Sequence, residues 1–246
     1  MRASDKPPMQ FGGVLVVDKP EGITSFGVVA RVRRCAGGIR TGHAGTLDPL
    51  ATGVLVLALG QATKSIDQLM ATDKRYRTIV DLSAFTTTDD REGERTEVLV
   101  GTPPSEASVR EAAGRFVGSI EQRPPVFSAM KVKGRRAYAL ARAGETPVMA
   151  PRVVRIDAVD VVRYEWPQVE LDVRCGKGTY IRSLARDLGT ALGTGGHCAT
   201  LRRTAVGPFT DAIAVPFAAI PNPLTETDVL SLETTFAMLI GSAVRP

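Results

Sequence analysis

Short runs of aliphatic residues alternate with polar, turn-rich segments along the chain. Six runs are rich in Val, Ile and Leu, are bounded by Gly, Pro or Asp, and predict strands: residues 13–17, 53–59, 76–82, 153–163, 169–175 and 200–206. Helical periods lie between them, most clearly over residues 179–192, where apolar side chains recur every three or four positions. The strand spacing is irregular and shows no βαβ rhythm. The pattern therefore predicts an α+β fold with a mostly antiparallel sheet.

Local signals predict where further helices begin and end. Ser25 and Ser105 are predicted as N-caps. The alanine-rich run 135–143 is predicted to be helical and to stop at Gly144, because glycine suits the position after a helix. Another helical run covers residues 232–240. Long loops are often functional, and two are predicted here, residues 37–52 and 123–133.

The composition indicates a basic protein with polyanionic partners. The formal net charge of +5 favours phosphates, because Lys and Arg release counterions when they bind them. Three cysteines without a CxxC pair and two histidines argue against a disulfide framework and a His-rich metal site. No apolar run approaches the ~20 residues of a membrane span, and the first ten residues lack the apolar core of a signal peptide. A cytoplasmic protein is expected.

The loop 37–52 contains the strongest candidate for chemistry. Asp48 precedes Pro49, which pushes the backbone at Asp48 toward an extended conformation and limits local motion. A carboxylate on such a stiffened turn is well aimed for nucleophilic attack, although Asp-Pro also occurs in ordinary turns. His43 lies among small residues in the same loop. It is a candidate to stack on or hydrogen-bond to a base, or it is only a turn residue.

Other basic and aromatic positions suggest contacts with RNA. Tyr76, flanked by two arginines, is a candidate to stack on a base, or it is an amphipathic edge residue. Arg182 falls in the first turn of a predicted helix, where a cation opposes the helix dipole. This position indicates a fixed carboxylate or phosphate partner, unless the charge is solvated. Lys131 and Arg202 belong to basic clusters that fit either an RNA track or a solvated face, and Lys19 fits a rigid turn.

Five motifs taken together resemble one family. GHAGTLDPLATGVL is similar to the catalytic motif of the bacterial-type tRNA pseudouridine synthase B family, which modifies the T-loop uridine at position 55 of tRNA. Four further stretches resemble the other motifs of that family in the same order: GVLVVDKPEGITS, RPPVFSAMKVKGRRAYALAR, GKGTYIRSLARDLG and GGHCATLRRT. The resemblance covers most of residues 12–209.

The resemblance implies a pseudouridine synthase fold and a set of roles. The fold is a central, mostly antiparallel mixed sheet flanked by helices, with an RNA-binding insertion. Asp48 matches the catalytic aspartate, Tyr76 the aromatic residue that stacks on the target base, and Arg182 the arginine that pairs with the aspartate. His43 matches the histidine that helps to displace the uridine, and Leu201 matches an apolar residue of the pocket. The other expected substrate-binding residues are Lys19, Tyr180, Lys131 and Arg202.

The resemblance also implies a domain organisation and partners. Residues 1–210 match the catalytic domain, with 123–150 as the RNA-gripping insertion. Residues 211–246 form a short C-terminal extension, in which the RNA-binding module of the family looks shortened or absent. Met130 stands where the family often has Leu, Ile or Val. The expected partner is the tRNA T-stem-loop, and a monomer is expected without cofactor, metal, membrane or obligatory protein partner.

The implied reaction is an isomerisation, which needs no redox agent, water or group donor. A carboxylate stabilises or traps the positive charge that glycosidic cleavage builds on a sugar. Attack of Asp48 on C1′, attack on C6 and assistance of an elimination all remain open. A non-catalytic RNA-binding module would use the same basic and aromatic residues but gains nothing from the aspartate. A guide-dependent catalytic subunit is the other alternative, and the compact chain without long basic tails favours the standalone enzyme.

Overall fold

The structure, a computed structural model, describes residues 11–128, 130–132, 134–145 and 147–243. Residues 1–10, in which no signal peptide was predicted, lie outside the described residues. Lys133 of the predicted loop 123–133 also lies outside them. The main chain of Lys131 is described, but its side chain is not.

Strands and short helices alternate through the described residues. The α-helices are α1 (Ser25–Cys35), α2 (Ile66–Ala71), α3 (Glu106–Gly114), α4 (Ala137–Arg142), α5 (Ile181–Leu192) and α6 (Leu232–Ala243). The strands are β1 (Gly13–Lys19), β2 (Thr41–His43), β3 (Thr52–Leu59), β4 (Lys74–Asp81), β5 (Ala84–Thr86), β6 (Arg95–Glu97), β7 (Gly118–Gln122), β8 (Lys131–Val132), β9 (Arg135–Arg136), β10 (Arg152–Glu165), β11 (Gln168–Cys175), β12 (His197–Val206), β13 (Phe209–Thr210) and β14 (Val215–Pro216). All six predicted strand runs are confirmed, each with a different residue at one or both ends.

The chain divides into two compact units. The first contains residues 1–74 and 202–246, and the second contains residues 75–201. Because β12 covers residues 197–206, it leaves the second unit and enters the first.

The sheet of the first unit is built on the central strand pair β1 and β3. These strands are antiparallel over their whole length, from Gly13 opposite Leu59 to Lys19 opposite Gly53. β14 joins β1 and β12 joins β3 in parallel, whereas β2 pairs with β3 in the antiparallel sense. The strands are rich in Val and Leu because both faces are covered, and a cluster of buried apolar side chains forms the core: Val14, Val16, Ala44, Val54, Val56, Ala58, Ala62, Leu69, Val206 and Phe209.

Two predictions for the first unit are wrong in detail. The segment 37–52 is not an uninterrupted loop, because residues 41–43 form β2 and place His43 opposite Leu57. Ser25 is not the N-cap of α1, because Thr24 takes that position and its side chain accepts a hydrogen bond from the Gly27 amide. The hydroxyl of Ser25 instead reaches another segment of the chain, Leu47.

The second unit contains a long antiparallel hairpin, β10 and β11, with β7 on the outer side of β10. Helix α3 packs against β10 and against α5. Ser105 caps α3, as predicted, by accepting a hydrogen bond from the Ser108 amide. The predicted helical period is confirmed in α5, where Leu184 and Leu188 are fully buried, although the helix begins at Ile181 and not at residue 179. The α+β class and the mostly antiparallel sheet are confirmed.

The predicted helix 135–143 begins two residues later than expected. Arg135 and Arg136 form β9, which pairs with β8, so α4 starts at Ala137. The helix ends at Arg142, one residue before the predicted end, and Gly144 follows it as predicted. The Gly144 amide donates to the Ala141 carbonyl, and the Glu145 amide donates to the Leu140 carbonyl. This pair of bonds is the Schellman arrangement of a helix C-terminus.

Within the part of the chain that the structure describes, no helix is both long and apolar enough to cross a membrane.

β3 and β12 approach each other closely at Gly53. Its φ is +97°, and a Cβ there would lie 2.2 Å from the main-chain oxygen of Arg203. Gly53→Ala is therefore expected to lower the free energy of unfolding by more than the ~1–3 kcal/mol of backbone strain alone, because a main-chain clash is added. Urea denaturation measures the change. Gly38→Ala is the matched control, since Gly38 has a φ of +92° but no atom within 4 Å of its Cβ position. Equal losses in both variants would contradict the clash.

Candidate active site

Asp48 lies on a tight turn of the first unit. The Ala51 amide donates to the Asp48 carbonyl at 3.1 Å, which closes the turn, and Asp48 is half-buried. Leu47, Leu50 and Ala51 are buried around it. The apolar neighbours therefore anchor the turn in the core, while Asp48 itself is partly exposed.

The residues on both sides of Asp48 are fixed by hydrogen bonds. The buried hydroxyl of Ser25 accepts from the Leu47 amide at 2.8 Å and donates to the Leu47 carbonyl at 2.9 Å. The Pro49 carbonyl accepts from the Gly22 amide at 2.8 Å. These contacts restrict the peptide units next to Asp48, which is the condition for holding a reactive side chain in one orientation.

Lys19 adds a buried charge to this network. Its side chain is fully buried, and Nζ donates to the carbonyls of Pro20 at 2.9 Å, Ile23 at 2.7 Å and Pro49 at 3.3 Å. A buried ammonium needs such oxygen partners, because burial without them is strongly unfavourable. Lys19 therefore ties the turn after β1 to the turn of Asp48. A direct contact of Lys19 with substrate stays a prediction.

Arg202 is held at the start of the first unit's part of β12. Nη1 and Nη2 each donate to one carboxylate oxygen of Asp18 at 3.0 Å, and Nη2 lies 3.7 Å from Asp211. The hydrogen bond to Asp18 raises the pKa of the Arg202 guanidinium. An RNA contact of Arg202 stays a prediction, and this carboxylate pairing partly offsets its charge.

His43 is half-buried, and no described residue offers a hydrogen bond to its Nδ1. Burial, and after it the charge of Arg203, lowers the pKa of the His43 imidazole. The ring is therefore neutral near pH 7, with one nitrogen as donor and the other as acceptor. A neutral ring suits both stacking on a base and hydrogen bonding to it, which are the two contacts predicted for His43.

In the second unit, Arg182 is buried and forms hydrogen bonds through both terminal nitrogens. Nη1 donates to the Thr88 carbonyl at 2.9 Å and to the Asp90 carboxylate at 3.2 Å, and Nη2 donates to the Phe127 carbonyl at 2.9 Å. Both partners of the ion pair are about 95% buried, with exposed side-chain fractions of 4% and 5%. The prediction of a fixed anionic partner for Arg182 is confirmed, and one such partner is Asp90.

Sequence reasoning did not single out Asp90. Its second oxygen accepts from the Thr88 hydroxyl at 2.5 Å and from the Glu92 amide at 3.0 Å, so the carboxylate has several donors besides Arg182. In the sequence, TTDDREGE looks like an ordinary exposed turn. The one available signal was that Arg182 requires an acid, and that signal does not distinguish among the 26 acidic residues.

Tyr76 is half-buried on β4, between two arginines that form surface ion pairs with β11. Arg75 donates to Asp172 at 2.8 Å, and Arg77 lies 3.4 Å from Glu170. Because these pairs are largely exposed, each contributes little to stability. The stacking role of Tyr76 stays a prediction.

Tyr180 is held at the start of α5 by a buried amide side chain. Its amide donates to Gln122 Oε1 at 2.7 Å, and Gln122 Nε2 donates back to its carbonyl at 3.0 Å. The guanidinium of Arg152 lies 4.9 Å from the centre of the Tyr180 ring, within cation–π distance. Gln122 and Arg152 were also missed by sequence reasoning. Leu201 is buried at the end of the second unit's part of β12.

The predicted site residues are therefore divided between the two units. Lys19, His43, Asp48 and Arg202 belong to the first, where Lys19 contacts the turn of Asp48. Tyr76, Tyr180, Arg182 and Leu201 belong to the second, with the main chain of Lys131 in β8. Among the described residues, no group of three or more His, Cys, Asp or Glu side chains is arranged to hold a metal ion.

Comparison with known proteins identifies the class of enzyme. Residues 33–181 match the model of the N-terminal domain of the TruB family pseudouridylate synthases, and residues 182–231 match that of the tRNA pseudouridylate synthase B C-terminal domain. Both models describe pseudouridine synthases. The chain belongs to the TruB family.

Curated relatives and solved structures agree with this family. The chain is 49% identical to tRNA pseudouridine synthase B of Thermobifida fusca over 85% of its own length and 76% of that protein, and 46% identical to that of Cutibacterium acnes over 89% and 78%. Among solved structures it resembles a chain of a Cbf5-Nop10-Gar1 complex, with a TM-score of 0.67 and 32% identity. That match covers 85% of this chain and 53% of the other, so this chain spans about half of that solved chain. The pseudouridine synthase fold is confirmed.

We expect the His43 imidazole to titrate below the ordinary value of about 6.5, because burial and the Arg203 charge both oppose protonation. Its pKa in the folded state lies below that in the unfolded state. His43 therefore contributes stability above the unfolded-state pKa, and this contribution is lost as the pH falls through the folded-state pKa. Histidine NMR measures the midpoint. The chain has two histidines, so His43→Gln assigns the signal by its disappearance. A midpoint at or above the ordinary value would contradict the prediction.

Removing the Asp90 charge is expected to destabilise the protein strongly. Asp90→Asn leaves the buried Arg182 guanidinium without this carboxylate, and breaking a buried ion pair in this way costs about 3–5 kcal/mol. Chemical denaturation measures the loss. Glu111→Gln is the control, because it breaks the exposed pair with Arg115 and is expected to change stability by less than ~1 kcal/mol. Similar small changes in both variants would show that the Arg182 pair is not a stabilising contact.

Proposed function

We propose that this chain isomerises the T-loop uridine at position 55 of tRNA to pseudouridine, with Asp48 as the catalytic carboxylate. The observation that carries the proposal is the turn of Asp48. The residues on either side of it are held by Ser25, by Gly22 and by the buried Lys19, while Asp48 itself is only half-buried. Restraint of both neighbouring peptides around a partly exposed aspartate is what holding a reactive side chain in one orientation requires.

The reaction balances without any added reagent. The bond between N1 of the base and C1′ of the sugar breaks, the base turns, and a bond forms between C5 and C1′. The proton on C5 is released and N1 gains a proton, so substrate and product are isomers. Asp48 stabilises or traps the positive charge that develops on the sugar, as carboxylates do in glycoside cleavage. Attack at C1′, attack at C6 and assistance of an elimination each use the same carboxylate.

The other predicted residues are assigned to binding and orientation of the substrate. The uridine leaves its stack before the chemistry, and this costs a few kcal/mol, less for a loop base than for a paired one. We assign stacking on the extruded base to Tyr76 and displacement of the uridine from the T-loop to the neutral ring of His43. Arg182, fixed by Asp90, supplies a positioned cation. Leu201, Tyr180, Lys19, Lys131 and Arg202 are assigned to the binding of RNA.

The names of the curated relatives support tRNA as the substrate, because each is a tRNA pseudouridine synthase B. The basic net charge of +5 also favours a polyanion. We propose that residues 1–210 act as the catalytic domain, with 123–150 gripping the RNA and 211–246 as a C-terminal extension. We further propose that the enzyme works in the cytoplasm as a monomer without a protein partner. Light scattering of the purified protein, alone and with tRNA, tests the monomer.

The function is tested with an unmodified tRNA transcript that carries tritium at C5 of uridine, incubated with the purified protein without cofactor. Tritium release reports loss of the C5 proton, and carbodiimide-directed primer extension locates the product. We expect one modified site, in the T-loop. Asp48→Asn is expected to lower the rate by about 10³-fold or more, since removal of a catalytic carboxylate has effects of this order.

Asp67→Asn is the matched control, because Asp67 is an exposed aspartate of α2 in the same unit. It is expected to keep the wild-type rate. If Asp48→Asn also kept that rate, the proposed role of Asp48 would be wrong. Tight binding of the transcript by the wild-type protein without tritium release would favour a non-catalytic RNA-binding module.

A further inference from the structure

We propose that Arg203 is a positioning residue for the reaction. It holds together the two ends of the segment 45–54, which contains Asp48. The inference rests on the proposed function, because it takes Asp48 as the catalytic carboxylate. Arg203 lies on β12 and is 1% exposed. No role was predicted for it from the sequence beyond membership of a basic pair with Arg202.

The guanidinium joins two main-chain positions on either side of Asp48. Nε donates to the Val54 carbonyl at 2.7 Å, and Nη2 donates to the Gly45 carbonyl at 3.1 Å. Gly45 precedes Asp48 and Val54 follows it, so one planar group fixes where the segment begins and where it ends. The guanidinium is rigid and presents its donors in fixed directions, which a flexible ammonium does not.

The main chain around Arg203 adds a second restraint on the same segment. Arg203 is the register partner of Gly53, and the approach is so close that a Cβ at Gly53 would lie 2.2 Å from the Arg203 oxygen. At the other end, the Cβ position of Gly45 lies 3.5 Å from Nη1, an ordinary contact distance. Both ends of the segment therefore pack directly against this one arginine.

The charge of Arg203 has no acidic counterpart at ion-pair distance among the described residues. Its hydrogen-bond partners are main-chain carbonyls, which offset burial only through their dipoles. An apolar side chain of similar volume would fill the space without the cost of burying a charge. The presence of a cation here is therefore better explained by what it does to its neighbours. Besides the two carbonyls, it acts on His43, whose pKa it lowers after the larger effect of burial.

Two substitutions separate the geometric effect from the charge effect. Arg203→Lys keeps a cation but loses the rigid pair of donors, whereas Arg203→Met removes both. In the tritium-release assay, we expect Arg203→Lys to lower kcat on the order of 10–100-fold with KM unchanged, because small displacements of a catalytic group have effects of this size. Its His43 pKa should stay low in NMR titrations. Arg203→Met is expected to show a similar loss in kcat and a raised His43 pKa.

Arg115→Lys serves as the control, because Arg115 is an exposed arginine paired with Glu111 on α3, and it should leave kcat and the His43 pKa unchanged. A wild-type kcat for folded Arg203→Lys would overturn the proposal. A raised KM with unchanged kcat would make Arg203 an RNA-binding residue, which also overturns it. Loss of the folded circular dichroism spectrum in both variants would assign Arg203 to the fold as a whole and overturn it too. Failure of the proposed function is distinguishable, because Asp48→Asn would then be as active as the wild type.

Discussion

Main-chain carbonyls around Asp48 are held by two buried cations, and the rest of the first unit is arranged around this contact. Lys19 donates to the carbonyl of Pro49, and Arg203 donates to those of Gly45 and Val54. Both side chains are almost completely buried, and the carbonyl oxygens that accept from them offset part of the cost of burying a charge. The two cations therefore restrain the main chain on both sides of Asp48.

The strands of the first unit explain how these cations reach the segment. Lys19 is the last residue of β1, opposite Gly53 in the antiparallel pair, and Arg203 is opposite the same glycine in the parallel pair of β3 and β12. A single residue of β3 thus has a cation-bearing neighbour on each side. Because Gly53 has no side chain, β12 can approach it closely at Arg203, and the segment of Asp48 enters β3 at this point.

Sequence reasoning succeeded where the determinant was local. The burial of Leu184 and Leu188 follows from helical spacing alone, and Ser105 caps α3 because a capping side chain acts within a few residues. Ser25 shows the limit. Its hydroxyl was expected to cap α1, but Thr24 serves equally well, and Ser25 is used for a contact with Leu47 that lies 22 residues away.

Arg203 and Asp90 could not have been identified from the sequence, because the contacts of both depend on tertiary structure. In LRRT the two arginines look alike, yet neighbouring side chains on a strand point to opposite faces. Arg202 therefore meets Asp18 near the surface, whereas Arg203 is buried, and only the pairing of β12 with β3 decides which is which. Asp90 likewise follows from tertiary structure, since nothing in a turn-like TTDD distinguishes it from Asp89. The motif identified the candidate catalytic residue, but the sequence did not identify the residues that hold the site residues in place.

The restraint on Asp48 uses main-chain carbonyl oxygens as acceptors. These buried hydrogen bonds and the binding of RNA by surface charges are therefore expected to respond differently to salt. Recognition of RNA by exposed Lys and Arg weakens as ionic strength rises, because the counterions that binding releases become more abundant in solution. Hydrogen bonds from buried cations to peptide oxygens are screened much less, since dissolved ions do not reach them. Salt should therefore control how often the enzyme meets its polyanionic ligand while leaving the shape of the reactive turn unaltered. Ionic strength is therefore a means of changing the rate of encounter with RNA without changing the geometry of the turn.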